Sequence, residues 1–98
     1  MIDLNQYSGG LQHIGIPTDD IERTIAFYTS LGFSVALRTE NKSASEQVAF
    51  LRLGNLTIET YENKRAVLHS GAIDHIALDV VHILSLIHIS EPTRLQLI

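Results

Sequence analysis

Hydrophobic and polar residues alternate in several short stretches of the chain. In "LQHIGI", Leu11, His13 and Gly15 fall on one face and the other three residues on the opposite face, as in a half-buried β-strand. The stretch "FSVALRT" predicts a second strand. "QVAFLRL" and "LTIETYE" flank Gly54 and Asn55, which predicts a β-hairpin closed by a two-residue turn.

The stretch between the first two strands has a helical period instead. Asp19 is predicted as the N-cap of this helix, and Glu22, three residues later, would complete a capping box. Gly32 stands where a left-handed residue commonly ends a helix. Between these limits apolar residues recur at helical spacing: Ile21, Ile25, Tyr28 and Leu31.

A fifth strand is predicted over "AIDHIALDV", residues 72–80, and it resembles the first. Both "LQHIGI" and "IDHIAL" place a histidine third, followed by Ile, a small residue and an aliphatic residue. The match indicates an internal repeat whose second copy has only begun. His13 and His75 are then equivalent, and Gly15 and Ala77 leave space two positions after each. The order of elements predicts an α+β fold.

The composition of the chain excludes several classes of function. The chain has 98 residues, 45% of them hydrophobic and 18% charged, which is typical of a small globular domain. Its net charge of −4 argues against nucleic acid as a partner. The absence of cysteine excludes disulfides and thiolate catalysis and fits a cytoplasmic location. No stretch is apolar enough to predict a membrane span.

Together these stretches resemble the vicinal oxygen chelate superfamily, which includes glyoxalase I, bleomycin resistance proteins and extradiol dioxygenases. "LQHIGIPTDDIERTIAFYTSLGF" is similar to its opening strand, helix and Gly-Phe turn, "VAFLRLGNLTIETYE" to its hairpin, and "GAIDHIALDV" to the start of a second module. The resemblance implies one βαβββ module plus the first strand of a second. In the family, two modules form an open barrel around a divalent metal ion.

The resemblance also implies which residues hold the metal. The glyoxalase-type ligands are a His on the first strand, a Glu on the fourth, a His on the fifth and a Glu on the eighth. The first three fall on His13, Glu59 and His75, and the fourth has no counterpart. Such ligands suit Zn²⁺, Ni²⁺, Co²⁺, Fe²⁺ or Mn²⁺. No catalytic residue and no other cofactor is assigned.

The resemblance divides the chain into five parts. The last part begins with "LSLIHISEPTR", which matches the translation of a common sequencing adapter. We therefore predict a non-native tail and exclude it from functional interpretation. The parts are a lead-in (1–10), the first module (11–62), a connector (63–72), the start of a second module (73–83) and the tail (84–98).

The implied function is that of a metal-dependent lyase or isomerase of the glyoxalase type, acting on a small carbonyl compound or its thiol adduct. One alternative is a protein of the same fold that binds a small ligand or antibiotic without chemistry. Another is a relative of the extradiol dioxygenases, against which Glu59 argues. Because strands six to eight have no counterpart, we expect a poor enzyme. Exposed apolar surface and unpaired strand edges favour a homodimer.

Overall fold

A computed structural model of the chain describes residues 1–82 and 84–85. The chain forms two compact units, residues 1–68 and 69–98. The first unit holds the β-α-β-β-β order that the sequence predicted, which confirms the α+β module. Its elements are a short 3-10 helix, Leu4–Gln6, followed by β1 Ile14–Thr18, α1 Ile21–Ser30, β2 Ser34–Asn41, β3 Glu46–Leu53 and β4 Leu56–Glu62.

The four strands form one mixed sheet in the order β1-β4-β3-β2. β1 runs parallel to β4, whereas the other neighbours are antiparallel. Glu59 is aligned with Gly15 on one side and with Phe50 on the other. The register therefore brings the beginning of the module next to its last strand.

β1 begins and ends later than predicted. It covers Ile14–Thr18 rather than Leu11–Ile16, so that His13 directly precedes the strand. The strand includes Pro17, which lacks a backbone N–H. Proline is tolerated here because β1 is an edge strand. The late end of β1 is fixed by pairing of Thr18 with Glu62.

The prediction of the helix N-cap was wrong by one residue. Asp20, not Asp19, is the N-cap, and its side chain accepts a hydrogen bond from the Arg23 amide at 3.1 Å. Asp19 instead accepts from the Ala66 amide, also at 3.1 Å. The Asp19 carboxylate is thus engaged outside the helix, while a carboxylate of β4 binds the amide of the first residue of α1.

Glu22 does not complete a capping box. Its carboxylate pairs with Arg38 of β2 at 2.8 Å. The first helical amide, Ile21 N, is bound at 2.9 Å by Glu62, the last residue of β4. A carboxylate distant in sequence thus satisfies one of the free N–H groups that every helix N-terminus has.

The hydrophobic core lies between α1 and one face of the sheet. Ile21 and Phe33 pack there against three buried strand residues, Ala49, Leu51 and Ile58. The two predicted turns are confirmed, since Gly32 after the helix and Gly54 in the hairpin both have positive φ, +104° and +56°. Phe50 and Glu59 alternate with the buried Leu51 and Ile58 and therefore lie on the opposite face of the sheet.

The prediction of a fifth strand was wrong. Residues 72–80 form no strand in the described structure, and all of them are exposed. An extended segment becomes a strand only by pairing its backbone with a neighbour, and no ladder involves these residues among the described pairs. The predicted tail, residues 84–98, lies outside the described residues apart from Leu84 and Ser85. No helix within the described residues has the length and apolar character needed to cross a membrane.

Candidate functional site

The first module brings two of the three predicted metal ligands together. His13 directly precedes β1, and Glu59 lies in the middle of β4. The distance from His13 Nε2 to Glu59 Oε1 is 3.6 Å. About one third of each side chain is exposed, 33% and 30%. The two side chains therefore meet on one side of the sheet, in a place that solvent and a ligand can reach.

The surroundings of this pair are aromatic. The His13 ring meets the ring of Phe50 edge to face, with centroids 5.5 Å apart and an interplanar angle of 83°. A Cβ atom added at Gly15 would lie 3.5 Å from Tyr61 Cε1 and 3.9 Å from Glu59 Oε1. Phe50 thus fixes the plane of the imidazole, and the missing side chain at Gly15 leaves space beside Glu59 and Tyr61.

A divalent metal ion fits these two donors. Metal–nitrogen and metal–oxygen bonds of about 2.1 Å at a tetrahedral angle place the two donor atoms about 3.4 Å apart. The observed 3.6 Å is close to that distance. An imidazole nitrogen and a carboxylate oxygen are also ligands that first-row metals accept. Within residues 1–82 and 84–85, however, no three His, Asp or Glu side chains form a cluster that could hold a metal ion.

His75, the third predicted ligand, belongs to the second unit. Its Nδ1 lies 2.5 Å from Asp74 Oδ1, and 80% of its side chain is exposed. The predicted strand that would have oriented it is absent from the described structure. Its assignment as a ligand stays a prediction.

One contact and two residues of the site were not predicted from the sequence. Gln12 Oε1 binds His13 Nδ1, a contact between adjacent residues that no motif marked. Phe50 and Tyr61 were not among the predicted site residues, and neither belongs to the buried cluster beneath the helix. Their alternation with buried Leu51 and Thr60 was the signal that could have placed them beside Glu59.

A polar cleft of about 570 Å³ lies at one end of the sheet. It is bounded by the turn between β2 and β3 and by the segment that follows β4. Tyr61 lines this cleft and also approaches Gly15 near the His13–Glu59 pair. Its remaining lining residues are mainly charged or polar: Ala44, Ser45, Glu46, Glu62, Asn63, Lys64 and Arg65.

Comparison with known proteins gives a family and a fold. The family model described as Glyoxalase/Bleomycin resistance protein/Dioxygenase superfamily matches residues 10–87. The chain is similar to the solved glyoxalase family protein from Enterococcus faecalis, with a TM-score of 0.63 and 20% identity over 86% of this chain and 71% of that one. It is also similar to the protein SMU.1112c, with a TM-score of 0.61 and 15% identity over 85% and 73%. No curated protein gave a significant match.

Proposed function

We propose a function from one premise: the chain belongs to the Glyoxalase/Bleomycin resistance protein/Dioxygenase superfamily. The proposal is that His13 and Glu59 hold a divalent metal ion, with His75 as a third ligand. The activity proposed is lyase or isomerase chemistry on a small carbonyl compound or its thiol adduct. The observation that carries the proposal is the 3.6 Å separation of His13 Nε2 and Glu59 Oε1 on one side of the sheet.

Each residue of the site has a separate part in this proposal. A bound ion would act as a Lewis acid on the oxygen atoms of the substrate. His13 supplies a nitrogen donor held in place by Phe50, and Glu59 supplies a carboxylate. Gly15 leaves a substrate room to approach, because any side chain there would project toward Tyr61 and Glu59.

Metal binding is the first test. Zn²⁺, Ni²⁺ and Co²⁺ are titrated by calorimetry into the wild-type chain and into His13→Ala, Glu59→Gln and His75→Ala. We expect one ion per chain and a loss of at least about tenfold in affinity for each variant, since even indirect partners of a metal site contribute that much. His69→Ala is the matched control, because this exposed histidine contacts only the Ser70 carbonyl among the described residues. Equal binding by wild type and His13→Ala would refute the assignment.

Activity is the second test. The wild-type chain and Glu59→Gln are assayed with Ni²⁺ and with Zn²⁺ on a 2-oxoaldehyde–thiol adduct. Metal-dependent turnover that Glu59→Gln abolishes would support the proposal. Turnover that survives both Glu59→Gln and removal of the metal by a chelator would contradict it.

Binding of a small ligand without chemistry is a second candidate function. The polar cleft favours it, because side chains of both charges surround its volume of about 570 Å³. Lys64 and Arg65 supply the cations, Glu46 and Glu62 supply the carboxylates, and Tyr61 adds an aromatic ring. Ligand screening by NMR, with and without metal, distinguishes the two functions. Shift changes confined to the cleft in the presence of substrate, without turnover, would favour the binding protein.

We also propose that the chain forms a homodimer in the cytoplasm. β2 is an edge strand, and Val35 and Leu37 on it are 44% and 52% exposed. Exposed apolar side chains beside an unpaired strand edge favour association. Light scattering coupled to size-exclusion chromatography tests the dimer, and a monomeric mass at micromolar concentration would contradict it.

A further inference from the structure

The hydrogen bond between Gln12 and His13 determines which ring nitrogen carries the proton. Gln12 Oε1 meets His13 Nδ1. A carboxamide oxygen has no hydrogen and can only accept, so Nδ1 must be the donor. In a neutral imidazole the other nitrogen, Nε2, then presents a lone pair. This contact therefore favours the Nδ1–H tautomer of the neutral His13 ring, which is the minor form of an unconstrained histidine side chain.

The Nε2 atom that this tautomer leaves bare is the atom nearest Glu59. It lies 3.6 Å from Glu59 Oε1. Two electron-pair donors thus converge on one point of the sheet surface, which is the arrangement a cation requires. The opposite tautomer would direct an N–H group to this point and would prevent Nε2 from binding a metal.

Two neighbours hold the imidazole in different ways. The edge-to-face contact with Phe50 limits the tilt of the ring. The centroid distance and angle of that contact do not distinguish the two ring nitrogens. Among the described residues Gln12 is the one hydrogen-bond partner of either ring nitrogen, because Glu59 Oε1, at 3.6 Å from Nε2, lies beyond hydrogen-bond distance.

We infer that Gln12 is a positioning residue that fixes the His13 tautomer and so presents Nε2 as a ligand beside Glu59. Partners that orient a metal-binding histidine through its other ring nitrogen commonly contribute 10–100-fold, roughly, to metal affinity. The effect on affinity rests on the proposed metal site. The tautomer of His13 in the metal-free protein does not depend on that site.

The test compares three variants with the wild-type chain. Gln12→Leu removes the acceptor, whereas Gln12→Glu keeps an oxygen that can accept from Nδ1. Gln6→Leu is the matched control, since Gln6 is an exposed glutamine at the end of the short 3-10 helix. Gln12 is exposed and precedes β1, so we expect all variants to fold, which circular dichroism checks.

Nitrogen-15 NMR of the metal-free proteins at about pH 8.5, where an ordinary imidazole is neutral, reports the tautomer directly. We expect the Nδ1–H form for His13 in the wild type, in Gln12→Glu and in Gln6→Leu, and a shift toward the Nε2–H form in Gln12→Leu. A wild-type His13 that is mainly Nε2–H, or a tautomer that Gln12→Leu leaves unchanged, would overturn the inference.

Zn²⁺ titration of the same four proteins then separates this inference from the proposed function. We expect Gln12→Leu to lose about 10–100-fold in affinity and Gln12→Glu to recover most of it. If Gln12→Leu changes the tautomer but binds Zn²⁺ like the wild type, the positioning role is refuted while the metal site stands. If the wild type shows the Nδ1–H form but binds no metal, the proposed function fails and with it the role of Gln12 in metal binding.

Discussion

Glu62 connects the last strand of the module to the start of its helix, and its removal should loosen both. Glu62 Oε1 accepts a hydrogen bond from the Ile21 amide at 2.9 Å, between residues 41 positions apart. Ile21 is 2% exposed and belongs to the core. The contact is partly buried, so solvent screens it less than it would a surface pair.

The expected loss of stability has two parts. A hydrogen bond to a charged group contributes about 1.5–3 kcal/mol to the free energy of unfolding, and a carboxylate at a helix N-terminus about 0.3–1 kcal/mol through the helix dipole. Because Glu62 is only partly buried, we take the lower half of these ranges. Glu62→Ala should then cost about 2 kcal/mol. Glu62→Gln keeps an acceptor and loses the charge, and should cost about 1 kcal/mol.

Urea unfolding followed by circular dichroism measures both variants, provided that the slope m is unchanged. Glu40→Ala and Glu40→Gln are the controls, because Glu40 is an exposed residue of β2 and such substitutions usually change stability by less than about 0.5 kcal/mol. The reasoning is refuted if Glu62→Ala costs no more than Glu40→Ala, or if Glu62→Gln and Glu62→Ala cost the same.

Three further predictions concern the core and the site. Burial raises the pKa of the Tyr28 phenol. The unfolded chain therefore loses this proton first, and the free energy of unfolding falls as the pH rises above about 10. Tyr28→Phe should reduce that fall when urea unfolding at about pH 9 is compared with about pH 11. Thr60 Oγ1 is buried without a hydrogen-bond partner among the described residues, so Thr60→Val should raise the unfolding free energy by about 1 kcal/mol in the same assay; a lower value would show that the hydroxyl is satisfied. A Cβ at Gly15 would make only ordinary contacts with Tyr61 and Glu59. Gly15→Ala should therefore keep the metal affinity measured by calorimetry, whereas the larger side chain of Gly15→Leu should lower it. Equal affinities of the two variants would contradict the prediction that a large side chain obstructs the site.

The candidate site was only partly predictable. The family resemblance implied that His13 and Glu59 bind one metal ion. Strand alternation determines which face each residue takes only once the register is known. Their separation of 3.6 Å depends on β1 lying parallel and next to β4, which no local pattern specifies. The hydrogen bond between Gln12 and His13 depends on the conformation of both side chains, and no sequence pattern predicts it.

The features that depend only on neighbouring residues could be predicted from the local sequence. The order of strands and helix, the Gly54 turn and the left-handed Gly32 all follow from local periodicity and from the conformational freedom of glycine. Tertiary structure decided the rest. Asp20 rather than Asp19 caps the helix, and the Asp19 carboxylate instead binds the amide of Ala66, 47 residues away. Residues 72–80 have the alternation of a strand but do not form one in the described chain, because a strand exists only where another strand pairs with its backbone.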